Sequence, residues 1–498
     1  MKKIIIPIML VFSLTQMQAQ TVDDALNYSQ DNLTGTARFR AMGGAFGALG
    51  GDLSSLNVNP AGSVIFANNQ VGITLSNFQI KNDASYFGNN KSTSSNNFDL
   101  NQAGGVFVFD ADTNSGWQKF AFSLNYDSNK NFNNNVSIAG TNANNSIANY
   151  FLSYANGIPL STLNNYKYAD LYYNEQQAYL GYNSYIINPI SNTANNTAYS
   201  SGVVAGTFNQ QNTTVTKGTS GKASFNFAAQ YEDQLSLGLN LNSHFSEFRQ
   251  SSTFFESNTN NLSTTDNYVK KVRFNNDIYT KGSGFSFQIG AIYKPSQSLR
   301  LGLAFESPTW YQFTDEISQN ISAISGTVTS DLPPDNAPIN GGSIIYEPYN
   351  LRTPAKFTSS IAYVFAKRGL LSIDVTTKNY SSAQFRPEND FKNTNKLIAQ
   401  NLNSSTEIRI GGEYKIKKVS LRGGYRWEES PYKLKNTMGD LTSYSGGLGY
   451  NFGSTKLDLA YSRSKKFTNQ SLFSQGFTAA PTISTINNSV TLTLLFEL

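Results

Sequence analysis

The sequence predicts an all-β fold: a 14-stranded antiparallel transmembrane β-barrel with an N-terminal, periplasmic-side plug (hatch). Three observations predict it. First, only 14% of the 498 residues are charged while 13% are aromatic, and mean hydropathy is −0.36. A polar lumen inside an apolar, aromatic-girdled wall has this mixture; a bundle of membrane helices does not. Second, from residue 69 onward apolar and polar residues alternate with period two. Third, short and long connections alternate along the chain, as periplasmic turns and extracellular loops do.

Residues 1–19 read as an export leader. Lys2 and Lys3 precede the apolar run Ile4 to Leu14, and Met17-Gln18-Ala19 forms a cleavage site before Gln20. The run is shorter than the roughly 20 apolar residues a spanning helix needs. A membrane form of this chain must therefore close its backbone hydrogen bonds in a barrel.

Residues 20–68 are the least strand-like part that follows. Gly35 to Gly62, GTARFRAMGGAFGALGGDLSSLNVNPAG, is dense in small residues. A phosphate-binding loop needs a preceding strand and a following helix within a βαβ unit, whereas what precedes this stretch is a polar segment directly after the leader. Small residues also suit close backbone packing in a confined space, so the stretch is read as the plug.

Residues 69–498 are read as the barrel. Strands fall at about 69–80, 102–111, 118–128, 221–231, 235–250, 282–294, 299–310, 355–366, 370–381, 405–416, 419–428, 442–452, 455–464 and 488–498. The last is the clearest. Val490, Leu492, Leu494 and Phe496 share one face with Thr491 and Thr493 opposite, and only Leu495 breaks the alternation. Arg300, Lys356, Asp374, Arg409, Glu413, Arg422, Arg426 and Asp458 all take the polar face. A cation facing mid-bilayer would cost roughly 2–4 kcal/mol, which makes the polar face the lumen. Tight turns are expected at 232–234, 294–298, 366–369, 415–418 and 453–454. Long polar loops are expected at 81–101, 129–220, 251–281, 311–353, 382–404, 429–441 and 465–487. Tyr231, Tyr293, Phe365, Tyr414 and Phe452 mark one rim and Tyr126, Tyr380, Trp427 and Tyr461 the other.

The candidate sites are few. The chain has no cysteine and a single histidine, His244, so thiolate and histidine-rich metal sites are excluded. No carboxylate cluster has calcium-loop spacing. A Ser–His hydrolase needs a serine within reach of His244. Neighbouring Ser243 points to the opposite face of the strand, so no catalytic residue is assigned. The scattered basic residues, at net charge +5, give no nucleic-acid footprint. In the largest loop, 129–220, the cluster Tyr150, Phe151, Leu152, Tyr154, Ile158 and Leu160 must bury itself over the barrel mouth or offer a hydrophobic groove. The lumen arginines Arg300, Arg409, Arg422 and Arg426 either pair with Glu306, Glu407, Glu413 and Asp458 or receive an anionic head group.

The segment RAMGGAFGALGGDLSSLNVNPAG, the strand count and hairpins such as GAIYKPSQSLRLGLAFESP (290–308), TPAKFTSSIAYVF (353–365) and GGEYKIKKVSLRGGYRWEESPY (411–432) together resemble the FadL/TodX family of outer-membrane transporters. The Bacteroidetes branch, sometimes labelled hemin receptors, is the most similar; one histidine fits that label poorly. The resemblance implies a monomer in the outer membrane, surrounded by its lipids and inserted by the barrel-assembly machinery, with no cofactor. It implies passive uptake of long-chain fatty acids or similar hydrophobic molecules, not an enzyme. Ligand would leave sideways through an inward kink of the third strand, near 127–130, with Asn59, Pro60 and Ala61 beside it. The C-terminal Phe496-Glu497-Leu498 departs from the terminal aromatic residue of many barrels. The rival reading is an adaptor barrel whose loops dock a partner protein, for example in secretion.

Overall fold

The computed structural model describes residues 20–111, 116–260, 264–333, 343–365, 368–469 and 471–498. The leader expected at 1–19 and part of the turn expected at 366–369 lie outside them. Among the described residues, those between 70 and 497 form a closed antiparallel barrel of 14 strands. They are β1 (Gln70–Tyr86), β2 (Asn89–Asp110), β3 (Trp117–Asn131), β4 (Phe208–Tyr231), β5 (Leu235–Ser257), β6 (Tyr268–Tyr293), β7 (Leu299–Glu306), β8 (Lys356–Phe365), β9 (Gly369–Asn379), β10 (Ser404–Ile416), β11 (Val419–Glu428), β12 (Leu441–Asn451), β13 (Thr455–Asn469) and β14 (Thr482–Glu497). Closure is by β1 against β14, in unbroken register from Gln70↔Glu497 to Ser85↔Thr482. No sheet edge is left between first and last strand, as hydrocarbon requires.

The alternation translates into two faces. On β14, Val490 and Leu492 are 49% and 45% exposed on the outside, while Thr491 and Thr493 are 1% and 0% exposed inside. Leu495, the one exception in the pattern, points inward. There it packs with Leu53, Val64 and Phe66 of the N-terminal segment. The break in period is thus a contact with the plug.

Several loops expected from sequence are strands. Residues 81–101 form the outer half of the β1–β2 hairpin, turned by Phe87 and Gly88 at φ 45° and 80°. β5 and β6 run for 23 and 26 residues, far past the membrane. Above the bilayer both faces meet water, so apolar alternation disappears while backbone pairing continues. Three adjacent strands resume after a break: β7 as Trp310–Gly326, β8 preceded by Tyr349–Arg352, and β9 followed by Gln384–Arg386.

Residues 20–66 lie inside. Helix α1 (Val22–Ser29) sits toward the extracellular end, where Ala25 and Leu26 pack among Tyr311, Phe313, Tyr349 and Phe385. The chain then descends through α2 (Ala37–Ala41) and two 3₁₀ turns, Leu53–Asn57 and Pro60–Ile65. Gly35 to Gly62 occupies the periplasmic half, against Thr493, Glu413, Asp374 and Leu303. Gly50 and Gly51 both hold left-handed backbone, φ 63° and 66°, which folds the segment back on itself with Gly51 N–H donating to Gly62 O at 3.1 Å.

Candidate functional site

The plug is tied to the wall by polar contacts at several heights. Arg38 forks onto Glu413, Nε to Oε2 at 2.8 Å and Nη2 to Oε1 at 3.2 Å. The same carboxylate accepts from Arg422 Nε at 2.7 Å, and Arg422 Nη1 reaches Asp458 at 2.6 Å. The backbone N–H groups of Phe46 and Gly47 both donate to Asp374 at 2.9 Å.

Asn59, Pro60 and Ala61 sit at the start of the second 3₁₀ turn. Asn59 Oδ1 accepts from Ala61 N at 3.1 Å and caps the turn. Its Nδ2 faces three carbonyls, Gly47 at 2.7 Å, Ala291 at 3.0 Å and Leu303 at 3.4 Å. Pro60 O accepts from Asn226 of β4 at 2.9 Å. On the lumen face of the wall, Gly238 and Gly290 leave room for the motif; a Cβ at either would overlap Asn59, Pro60 or Ala61. The motif is therefore seated on β4 to β7, and the turn it opens also touches β3.

β3 breaks where the sequence alternation fails. The β2–β3 ladder runs from Asp110↔Lys119 to Gln102↔Asp127 and stops. On the other side of β3 the register to β4 slips between Ser128 and Lys130, leaving Asn129 as a bulge. β2 has its own irregularity at the same height, with Asn101 skipped in the pairing to β1. Beyond this point the seam is spanned by side chains, Ser128 Oγ to Asp99 at 3.2 Å and Thr93 Oγ1 to Asn135 O at 2.6 Å among them. The plug grips the bulge from inside: Asn32 N–H donates to Asn129 O at 2.9 Å, Thr34 Oγ1 donates to Ser128 O, and Lys130 Nζ donates to Asn27 Oδ1 at 2.8 Å.

Behind the bulge is a small lumen cavity of about 110 Å³ bordered by Asn129. Five cations (Lys222, Lys356, Lys378, Arg409 and Arg426) and three carboxylates (Asp31, Glu407 and Glu428) line it, beside Leu33, Phe39 and Val58. It is thus amphipathic with an excess of positive charge. Asp31 shows the local field. Burial would raise its carboxyl, but Lys356 and Lys378 hold it well below the usual carboxylate range.

The four sequence-predicted arginines divide. Arg409 and Arg426 both pair with Glu407 and both border the cavity. Arg422 is committed to Glu413 and Asp458. Arg300 Nη1 donates to the plug carbonyl of Leu49 at 2.9 Å. Glu306 pairs instead with Lys356, at 3.2 Å. Lys222 and Lys378 were not singled out from sequence. Lys222 shares its parity with Ser224 and Asn226, opposite Phe225 and Phe227, so the alternation of β4 carried that signal.

The six cap residues are brought together, as a packed core. Tyr150, Phe151 and Tyr154 lie on α3 (Ala148–Ala155) and, with Ile158 and Leu160, are at most 8% exposed; Leu152 is partly buried. They close on Phe254, Phe274 and Phe477 from the extended hairpins and the last loop. His244 Nε2 lies 2.8 Å from the buried Ser286 Oγ, a cross-strand neighbour, and its Nδ1 faces Tyr311 OH at 3.4 Å. The ring is thus oriented by a tyrosine and not by a carboxylate.

A closed barrel of 14 strands that holds its own N-terminal segment in its lumen has the form of a plugged membrane barrel. The family model for outer membrane transport proteins (OMPP1/FadL/TodX) matches residues 168–491, well over half of the chain. The protein belongs to this family and to the outer membrane. The matched residues do not reach Asn59-Pro60-Ala61. Among solved structures, a Pseudomonas aeruginosa FadL homologue aligns with a TM-score of 0.56 at 13% identity, covering 94% of this chain and 99% of that one. The Pseudomonas putida toluene transporter TodX aligns with a TM-score of 0.51 at 14% identity, covering 94% and 100%. At such identities the likeness is one of fold. No curated protein sequence matches significantly.

Proposed function

We propose that the protein takes up hydrophobic molecules bearing an anionic head, such as long-chain fatty acids, and releases them sideways into the membrane between β2 and β3. One observation carries the reading. Asn129, the bulged residue at the point where the β2–β3 ladder ends, borders the cation-rich cavity. A carboxylate beside Lys222, Lys378, Arg409 and Arg426 gains charge-assisted hydrogen bonds, and its chain lies along Leu33, Phe39 and Val58. The seam beside it is held by side chains, which part at lower cost than a backbone ladder.

In this reading Asn59, Pro60 and Ala61 set the plug's seat and Arg300 and Arg422 hold it. Arg409 and Arg426 are the head-group contacts. Five of the six aromatic and aliphatic cap residues are closed into their core, so ligand passes beside the cap and meets Leu152 at most.

Deleting Asn129 tests the proposal. The deletion restores register to β4 and lets β3 pair further with β2. Uptake of labelled oleate is expected to fall at least about tenfold, with heat-modifiable electrophoretic mobility unchanged. Unimpaired uptake by a folded deletion variant would sink the lateral route. Native mass spectrometry with oleate and with toluene separates an anionic ligand from a neutral one.

A further inference from the structure

The wall carries a second irregularity, on the far side from the β2–β3 seam, and it faces outward. β7, β8 and β9 all break at one height, at 307–309, 353–355 and 380–383. Pro308 and Pro354 stand in two of the breaks, where no ladder N–H is available. Thr309 and Thr353 stitch the gap, with Thr309 N–H donating to Thr353 Oγ1 at 2.9 Å and Thr353 N–H to Thr309 O at 3.0 Å. The segments beyond the breaks pair again, Trp310 with Phe285 and Arg352, and Arg352 with Gln384.

The break leaves an open notch of about 660 Å³ on the outer surface, bordered by Phe285, Trp310, Gln312, Arg352 and Arg386. Its height is set by β6. Tyr293, Ile289 and Phe285 are exposed apolar residues on the outer face, and the next outward positions are Ser283 and Lys281. The apolar band therefore ends at Phe285, at the extracellular end of the membrane. Trp310, 46% exposed beside Phe285, has the position of an interfacial anchor.

Arg352 and Arg386 stand just at and above that edge. Both are exposed, and they occupy diagonal positions on one face, since Arg386 pairs with Asn350 and Arg352 with Gln384. Diagonal neighbours are about 7–8 Å apart. Arg386 Nη2 donates to Gln384 Oε1 at 3.3 Å, and among the described residues no carboxylate forms an ion pair with either arginine. The lumen is not their partner: Tyr311 and Leu351, the alternate residues on the same segments, point inward and bury themselves around α1. Two guanidinium forks at the outer rim, above exposed aromatic rings and beside open membrane, match an acyl lipid with a phosphate at the base of its head group.

We propose that this notch is a binding site for a phosphorylated glycolipid of the outer leaflet. The phosphate sits between Arg352 and Arg386, the sugar lies against Trp310 and Gln312, and the acyl chains descend past Phe285 and Ile289. The site is separate from the transport route and stands or falls independently of it.

Native mass spectrometry of the full barrel in mild detergent, titrated with bis-phosphorylated lipid A and with its dephosphorylated form, tests the site. The wild type is expected to prefer the phosphorylated lipid by at least about tenfold, and Arg352→Gln/Arg386→Gln to abolish the preference. Equal binding of both lipids, or an undiminished preference in the double variant, would overturn the proposal. Arg352→Lys/Arg386→Lys keeps the charge and guards against misfolding of the neutral variant. It is expected to bind with intermediate strength because the bidentate forks are lost. Wild-type affinity in that variant would reduce the notch to diffuse surface charge and would also overturn it.

Discussion

The backbone N–H of Asn32 donates to the carbonyl of Asn129 at 2.9 Å, joining the plug to the bulge of the third strand. Thr34 Oγ1 repeats the tie one residue earlier, on Ser128 O. The kink is thus held by the plug as well as by the register of β3. Asn32→Pro with Thr34→Val removes both donors. Each lost hydrogen bond is worth about 1 kcal/mol, so amide exchange across 128–131 should quicken by about thirtyfold. Exchange at the wild-type rate would mean that the bulge holds its shape without the plug.

Asn59 reaches both the plug and the wall from one side chain, so Asn59→Ala removes the Nδ2 donor facing the Gly47, Ala291 and Leu303 carbonyls and the Oδ1 acceptor of the Ala61 N–H. The expected cost to plug docking is about 2–3 kcal/mol, while the strand ladders are untouched. Oleate uptake and permeability to small polar antibiotics should change several-fold with the barrel's melting temperature nearly constant. Parallel loss of folded barrel and uptake would leave the motif as packing alone.

The barrel was legible because period two is imposed by lipid on one side and water on the other; where lipid ends, so did the reading. Residues 81–101 and 208–220 pair as strands with no apolar face to announce them. The plug was legible as a run of small residues, but its contacts were not. Nothing local in Gly238 or Gly290 says that Pro60 will rest there, because that contact spans more than 170 residues of chain. The aromatic cluster of 150–160 is legible as a core over the barrel mouth or as a groove, but its own residues do not choose between them. Only the extended hairpins, invisible to the pattern, supply Phe254 and Phe274 to close it. His244 had a serine partner on the next strand, Ser286, which neighbour-by-neighbour reading along one strand does not reach.

Asp24 makes α1 sensitive to pH. Burial raises its carboxyl to about 6, with Asp315 and Asp23 adding to the rise against the hydrogen bonds from Thr21. A carboxyl raised in the folded state stabilises docking most when protonated, and the gain is lost as pH climbs through about 6. Amides of residues 25–29 should therefore be better protected at pH 5 than at pH 8. Asp24→Asn should remove most of the step, leaving what the raised carboxyl of Asp315 contributes. Protection that rises with pH would reverse the assignment.

Glu413 holds two arginines from two parts of the molecule, Arg38 of the plug and Arg422 of the wall. Its side chain is 1% exposed, so the pair is dry and each partner depends on the other. Glu413→Gln leaves Arg38 with the Gly51 carbonyl at 3.0 Å and leaves Arg422 with Asp458. Breaking one side of a buried pair costs about 3–5 kcal/mol, whereas removing both charges costs far less. Glu413→Gln should expose the plug to trypsin at Arg38 and Arg40, and Arg38→Met with Glu413→Met should restore much of the resistance. If the double variant is cleaved as fast as the two single effects add up to, the contact is not what seats the plug.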